Sequence, residues 1–95
     1  MAVTVVLVGA ARELFGRPSY TVDLKPGMTI RGLFEELSRS SGPGFEGKIY
    51  DVHNGRMNEH IVVFINSREI RSLEGLDTRL KEGDVITILP PMAGG

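Results

Sequence analysis

The sequence contains no cysteine, which excludes a disulfide, a thiolate metal ligand and a sulfur nucleophile of the chain's own. It also lacks charge of one sign. Eleven Lys and Arg stand against 12 Asp and Glu, so there is no net basic field to hold a polyanion, and nucleic acid is not expected as a partner. Long apolar runs are missing too: the longest, Ile61 to Ile65, is far short of the roughly 20 residues that cross a bilayer. Met1 to Val8 has neither the charged start nor the cleavage site of an export signal. A cytoplasmic protein without membrane attachment is expected.

What is present describes one small domain, since 95 residues can enclose one hydrophobic core but not two. Apolar residues make up 41% and charged residues 24%, the balance of a chain that folds. Ala2 to Val8 is dominated by β-branched residues and reads as a first, central strand buried on both faces or nearly so. Ala10 to Phe15, closed by Gly16, reads as a short helix with Leu14 and Phe15 turned inward. Tyr20, Val22 and Leu24 alternate with polar residues as in a half-buried strand, which Lys25-Pro26-Gly27 turns. Thr29 is a candidate N-cap, and Ile30, Leu33, Phe34 and Leu37 recur at helical spacing over residues 30–40, with Gly32 as the weak point.

Ser40 to Gly44 breaks that helix, and the stretch onward to Glu59 has no clear period. It is read as mobile, with one helical turn near Ile49 and Tyr50. His60 to Asn66 is expected as a second buried strand, Glu69 to Arg71 as a short return strand, and Leu73 to Asp77 as a tight connector. A turn at Lys81 to Asp84 precedes the last strand, Val85 to Leu89, which Pro90-Pro91 ends. This order predicts an α+β class: a mixed sheet with one main helix packed on one face. It suits a β-grasp, with the first and last strands side by side at the centre. Residues 1–89 form the domain and 90–95 a flexible tail ending in Gly-Gly.

Several segments carry a family resemblance. Leu76-Asp77-Thr78, Leu80, Gly83-Asp84 and Pro90-Pro91-Met92-Ala93-Gly94-Gly95 resemble the end of the small subunit of molybdopterin synthase and its sulfur-carrier relatives. Arg12-Glu13-Leu14 with Gly16, Val63 to Asn66 and the Pro-Gly before the main helix are similar too. The resemblance implies a ubiquitin-like β-grasp whose terminal glycine, here Gly95, is adenylated by an ATP-dependent partner and converted to a thiocarboxylate. In molybdopterin synthase the large subunit then receives that sulfur for a pterin precursor. The chain would be a carrier subunit without catalytic residues, binding no cofactor, with ATP used by the ubiquitin-activating-like enzyme. One departure stands out: relatives often carry an aromatic pair where this chain has Leu7 and Val8.

The ending suits that chemistry. A carboxylate is a poor acyl electrophile, so transfer requires a better leaving group, which adenylation provides. Glycine lacks Cβ, so Gly94 and Gly95 can thread a narrow channel and lie close to a nucleotide. Pro90 and Pro91 set the direction of departure. Pro90, Pro91, Met92, Ala93, Gly94 and Gly95 together reach roughly 20 Å at about 3.3 to 3.6 Å per residue, enough to enter a partner's pocket while the body stays outside. The bland alternative is a frayed end. Two terminal glycines arise by chance in about 0.5% of chains at an average usage of about 7%, and the Pro-Pro stop and strand order favour the functional reading.

The other candidates read as structure. His53 and His60 have no cysteine to join them and no metal is expected. Asp51, Glu59, Glu35 and Glu36 are not placed around a pocket by any pattern, and the last two suit a solvated helix face. Gly42-Pro43-Gly44 lacks the Lys-Ser/Thr of a phosphate loop. Phe64 is expected in the core, although one exposed side of the sheet beside the tail could form a docking patch. Alternatives to a molybdopterin role remain open: sulfur carriage for tungsten-type pterin cofactors, thiamin or transfer-RNA thiolation, protein modification through an isopeptide bond from Gly95, or a β-grasp binding module with no covalent chemistry.

Overall fold

A computed structural model describes residues 1–41 and 45–90, with the side chains of 13–15 and 41 left aside. Strand β1 (Ala2–Leu7) leads through helix α1 (Ala10–Phe15) to β2 (Ser19–Asp23) and the main helix α2 (Ile30–Ser41). A small ladder of β3 (Tyr50–Asp51) and β4 (Arg56–Met57) follows, then β5 (Val62–Ile65), β6 (Arg68–Glu69), two 3-10 turns (Ile70–Ser72 and Gly75–Asp77) and β7 (Val85–Leu89). The main sheet has five strands in the order β2-β1-β7-β5-β6. β1 and β7 lie side by side and parallel, in register from Thr4 against Val85 to Leu7 against Ile88. Every other pair in it is antiparallel. This is the α+β mixed sheet with the central pairing expected from the element order.

Helix α2 covers one face of that sheet. Thr29 caps it, its Oγ1 accepting from Gly32 N–H at 3.2 Å. Ile30, Leu33, Phe34 and Leu37, at i, i+3, i+4 and i+7, are all buried, against Val3, Val5, Leu7, Val63, Ile65, Ile86 and Ile88 from the strands. Gly32 is not a tight contact: a Cβ there would meet nothing closer than Met28 Cγ at 3.7 Å.

Burial in the strands differs from the expectation. β1 is not enclosed on both faces: Val3, Val5 and Leu7 are buried while Ala2, Thr4 and Val6 are half-buried on the opposite face. β5 alternates likewise, and Phe64, expected in the core, is half-buried on that outer face. A run of β-branched residues satisfies one-sided and two-sided burial equally, and here α2 covers one side. Leu14 and Phe15 fall outside the described side chains.

The aperiodic segment is more organised than expected. Residues 42–44 lie outside the described part, but Phe45, Ile49 and Tyr50 are buried. Phe34 meets Phe45 and Tyr50 edge-on, with ring centroids 5.3 and 5.9 Å apart. Ile49 N–H reaches Phe45 O at 2.9 Å, a single turn, after which Tyr50 enters β3 rather than a helix. Arg31 ties the periphery to α2, donating from Nη1 to Gly55 O at 2.8 Å and from Nε to Asp77 Oδ1 at 3.4 Å. Tyr50 donates its hydroxyl to Glu35 Oε2 at 3.2 Å, and burial raises its pKa above the ordinary tyrosine value. The expected return strand is shifted: β6 ends at Glu69, whose carboxylate caps the first 3-10 turn by accepting from Arg71 N–H at 2.8 Å.

Two predictions follow from this packing. Phe34→Ala should lower the unfolding free energy by about 3–5 kcal/mol, whereas Ser38→Ala should raise it by up to about 1 kcal/mol, because Ser38 Oγ is buried without a hydrogen-bond partner among the described residues. Urea unfolding of both variants checks the pair. Glu36 accepts from Lys25 Nζ and Arg39 Nη2, each at 3.1 Å, and the Lys25 bond, then the Arg39 bond, lower its pKa from 4.5. Because the folded value is the lower one, the contribution is present above the unfolded pKa and lost as pH falls through the folded pKa. Stability should therefore decline on acidification less in Glu36→Gln than in the unaltered chain, measured by melts across that range.

Candidate functional site

The last strand delivers the chain's end from the middle of the sheet. β7 runs between β1 and β5, and Leu89 pairs with Val62. Pro90 has no N–H and cannot extend the ladder. On the other side, Val8 N–H reaches Ile88 O at 3.2 Å, so β1 tracks β7 almost to its end. Gly9 then turns the chain into α1 at φ 60°, ψ −132°. A Cβ at Gly9 would stand 3.5 Å from Pro90 Cγ, so the start of α1 lies close beside the root of the tail. The remaining tail residues predicted as functional, Pro91, Met92, Ala93, Gly94 and Gly95, lie outside the described part.

Beside this root is the face of the sheet that α2 does not cover. Side-chain alternation puts Val6, Val62, Phe64, Val85 and Leu89 on it, all half-buried. Val62 is opposite Leu89, and Phe64 opposite Thr87, so apolar side chains interspersed with threonine lead to the end of β7 beside Pro90. Val8 joins it, 39% exposed. Of the two positions where relatives often have aromatics, Leu7 is a core residue, and the departure from that pattern reaches the surface at Val8. These residues were hard to single out in the sequence because each alternates with an equally apolar core residue; the signal lay in the parity of β1, β5 and β7, not in residue type.

The remaining sequence candidates serve local structure. His53 stands in the turn between β3 and β4, its N–H bonded to Asp51 Oδ1 at 2.9 Å. His60 Nε2 lies 3.8 Å from Glu59 Oε1, both side chains exposed. Among the described residues no group of three or more His, Asp or Glu could hold a metal ion, and no helix is long and apolar enough to cross a membrane. Glu35 takes the Tyr50 hydroxyl and Glu36 the Lys25 and Arg39 cations. No acid–base pair is assembled from them.

A mixed sheet with parallel first and last strands at its centre, one helix across a single face and a tail leaving the central strand is a ubiquitin-like β-grasp. The chain belongs to the ThiS family of small ubiquitin-like sulfur carriers, whose family model matches residues 5–95. It is 37% identical over 68 residues to a protein provisionally named sulfur carrier protein in Archaeoglobus fulgidus, covering 72% of this chain and 75% of that one. The solution structure of small archaeal modifier protein 1 from Methanosarcina acetivorans superposes with a TM-score of 0.82 at 31% identity, covering 99% of this chain and 96% of that one. A Pyrococcus furiosus chain provisionally described as molybdopterin converting factor subunit 1 gives a TM-score of 0.72 at 26% identity, covering 97% and 99%.

The contact at the tail root is testable. Gly9 occupies a left-handed conformation that side chains resist, so Gly9→Ala should cost about 1–3 kcal/mol in thermal or urea unfolding, while the same change at Gly32, where φ is not positive and a Cβ would make only ordinary van der Waals contacts, should stabilise by up to about 1 kcal/mol.

Proposed function

We propose that this protein is a sulfur carrier whose cargo is a thiocarboxylate at Gly95, made and used in molybdopterin synthesis. The observation that carries the reading is the tail root: a central strand released by Pro90 beside an apolar face, on a chain of a sulfur-carrier family. The Gly95 carboxylate attacks the α-phosphate of ATP in an activating partner, pyrophosphate leaves, and an acyl adenylate forms. A sulfur nucleophile supplied from outside then displaces AMP, as it must, since the chain contains no cysteine. The chain contributes no catalytic group and binds no cofactor: it presents the carboxylate, and ATP belongs to the partner. The large subunit of a molybdopterin synthase receives the sulfur, a destination supported by likeness to the Pyrococcus furiosus chain. The whole exchange takes place in the cytoplasm.

In both partners the uncovered face around Phe64 and Leu89 meets the partner's surface while residues 90–95 enter its active site. A second reading is favoured by the likeness to small archaeal modifier protein 1: the same adenylate, attacked by a lysine of another protein, gives an isopeptide bond through Gly95. The first step is shared, and the acceptor nucleophile distinguishes the two.

Protein isolated from its native host should contain a fraction heavier by one oxygen-to-sulfur exchange at Gly95, seen by intact mass. Deleting Gly94 and Gly95, or adding one residue after Gly95, should abolish that fraction without altering the melting curve. Its absence when the cognate activating enzyme and a sulfur source are supplied would overturn the carrier reading, and lysine-linked tail remnants found instead would establish the modifier.

A further inference from the structure

The end of the sheet away from the tail root holds a concavity of about 290 Å³. Arg68, Arg79 and Lys81 stand around it, with Ile65, Leu73 and Asp84 completing the wall. All three cations are exposed, and among the described residues none has an ion-pair partner. That sets them apart from Lys25 and Arg39, which share Glu36, and from Arg31, which meets Asp77.

Two neighbouring carboxylates are already engaged. Asp84 Oδ1 accepts from Asn66 Nδ2 at 3.1 Å and Oδ2 from Lys81 N–H at 2.8 Å. Glu69 accepts from Arg71 N–H at 2.8 Å. Three cations against the one lining carboxylate leave a local charge of +2, on a chain whose net charge is −1. Guanidinium groups match carboxylates in fork geometry, and mobile cations around a concave floor recognise anionic groups on a flexible ligand.

The wall also says which kind of anion fits. A compact phosphate is normally held by converging backbone N–H groups, but here Lys81 N–H is taken by Asp84 and Asn66 N–H by Val85 O at 2.7 Å. Leu73 instead offers half-buried aliphatic surface between the cations. Long side chains around an apolar floor suit a chain that alternates carboxylates with an aliphatic residue.

We propose that this concavity docks an acidic segment of a partner protein, its carboxylates on Arg68, Arg79 and Lys81 and an aliphatic side chain on Leu73. The site is separate from the tail: β7 begins beside it at Val85 and ends at Leu89, a span of roughly 13 Å at about 3.3 Å per residue. A partner can therefore hold the body at one pole while the tail is used at the other. The docking does not depend on what the tail carries.

The test titrates the isotopically labelled full chain with the synthetic peptide acetyl-Asp-Glu-Leu-Glu-Asp-amide, following backbone amide signals by NMR. Saturable shifts are expected within residues 65–84, weakening as salt is raised. The combined variant Arg68→Ser, Arg79→Ser and Lys81→Ser should bind about tenfold more weakly, the sum of three modest surface ion pairs, with an unchanged melting curve. Four results would each overturn the proposal: no saturable shift, equal binding of the Asn/Gln version of the peptide, equal binding by the triple variant, or the same shifts at the same affinity with inorganic phosphate alone.

Discussion

The parallel pairing of β1 with β7 is the constraint on which the rest depends. Parallel neighbours cannot be joined by a tight turn and need a crossover, so everything from Val8 to Asp84 is in effect one long connection between two adjacent strands. Helix α2 lies within that connection and can cover one face of the pair. The opposite face, which α2 does not cover, carries half-buried Val6, Val62, Phe64, Val85 and Leu89. The same pairing places the C-terminal strand between two neighbours instead of at an edge, so the tail starts from a strand hydrogen-bonded on both sides and beside that face.

The periphery is held to this centre by a few specific contacts. Phe45 and Tyr50 are brought onto Phe34 as an edge-on aromatic cluster, which gives the irregular segment before β5 a share of the core. Arg31, one turn above Phe34 on α2, reaches both the β3–β4 turn and the second 3-10 turn. A guanidinium offers several donors in one plane, so one side chain can serve two loops at once. The concavity beside Lys81 is of the opposite kind, with its cations turned to solvent and its one lining carboxylate, Asp84, engaged locally.

Much of this was legible in the sequence. Helical spacing marked Ile30, Leu33, Phe34 and Leu37 as one buried stripe, and Thr29 as their cap. The turn at Lys81 to Asp84 and the stop at Pro90 marked both ends of β7. Three things were not legible, each for a physical reason. Val6 and Phe64 are as apolar as Val5 and Val63, and which of them faces α2 depends on a layer that local pattern does not contain. Phe45, Ile49 and Tyr50 bury through tertiary contacts at spacings that match no period. Arg68, Arg79 and Lys81 are scattered along the chain, and the hairpin and turns that gather them create a patch no local run of charge announces.

Because β7 leaves the sheet along its own axis with a hydrogen-bonded neighbour on each side, drawing the tail into a partner's channel would load both ladders in shear. Their bonds would have to yield together instead of being peeled one after another, as at an edge. A pull on the end of β7 would thus meet resistance from two ladders at once, while the separate ladder of β3 and β4 shares no strand with them.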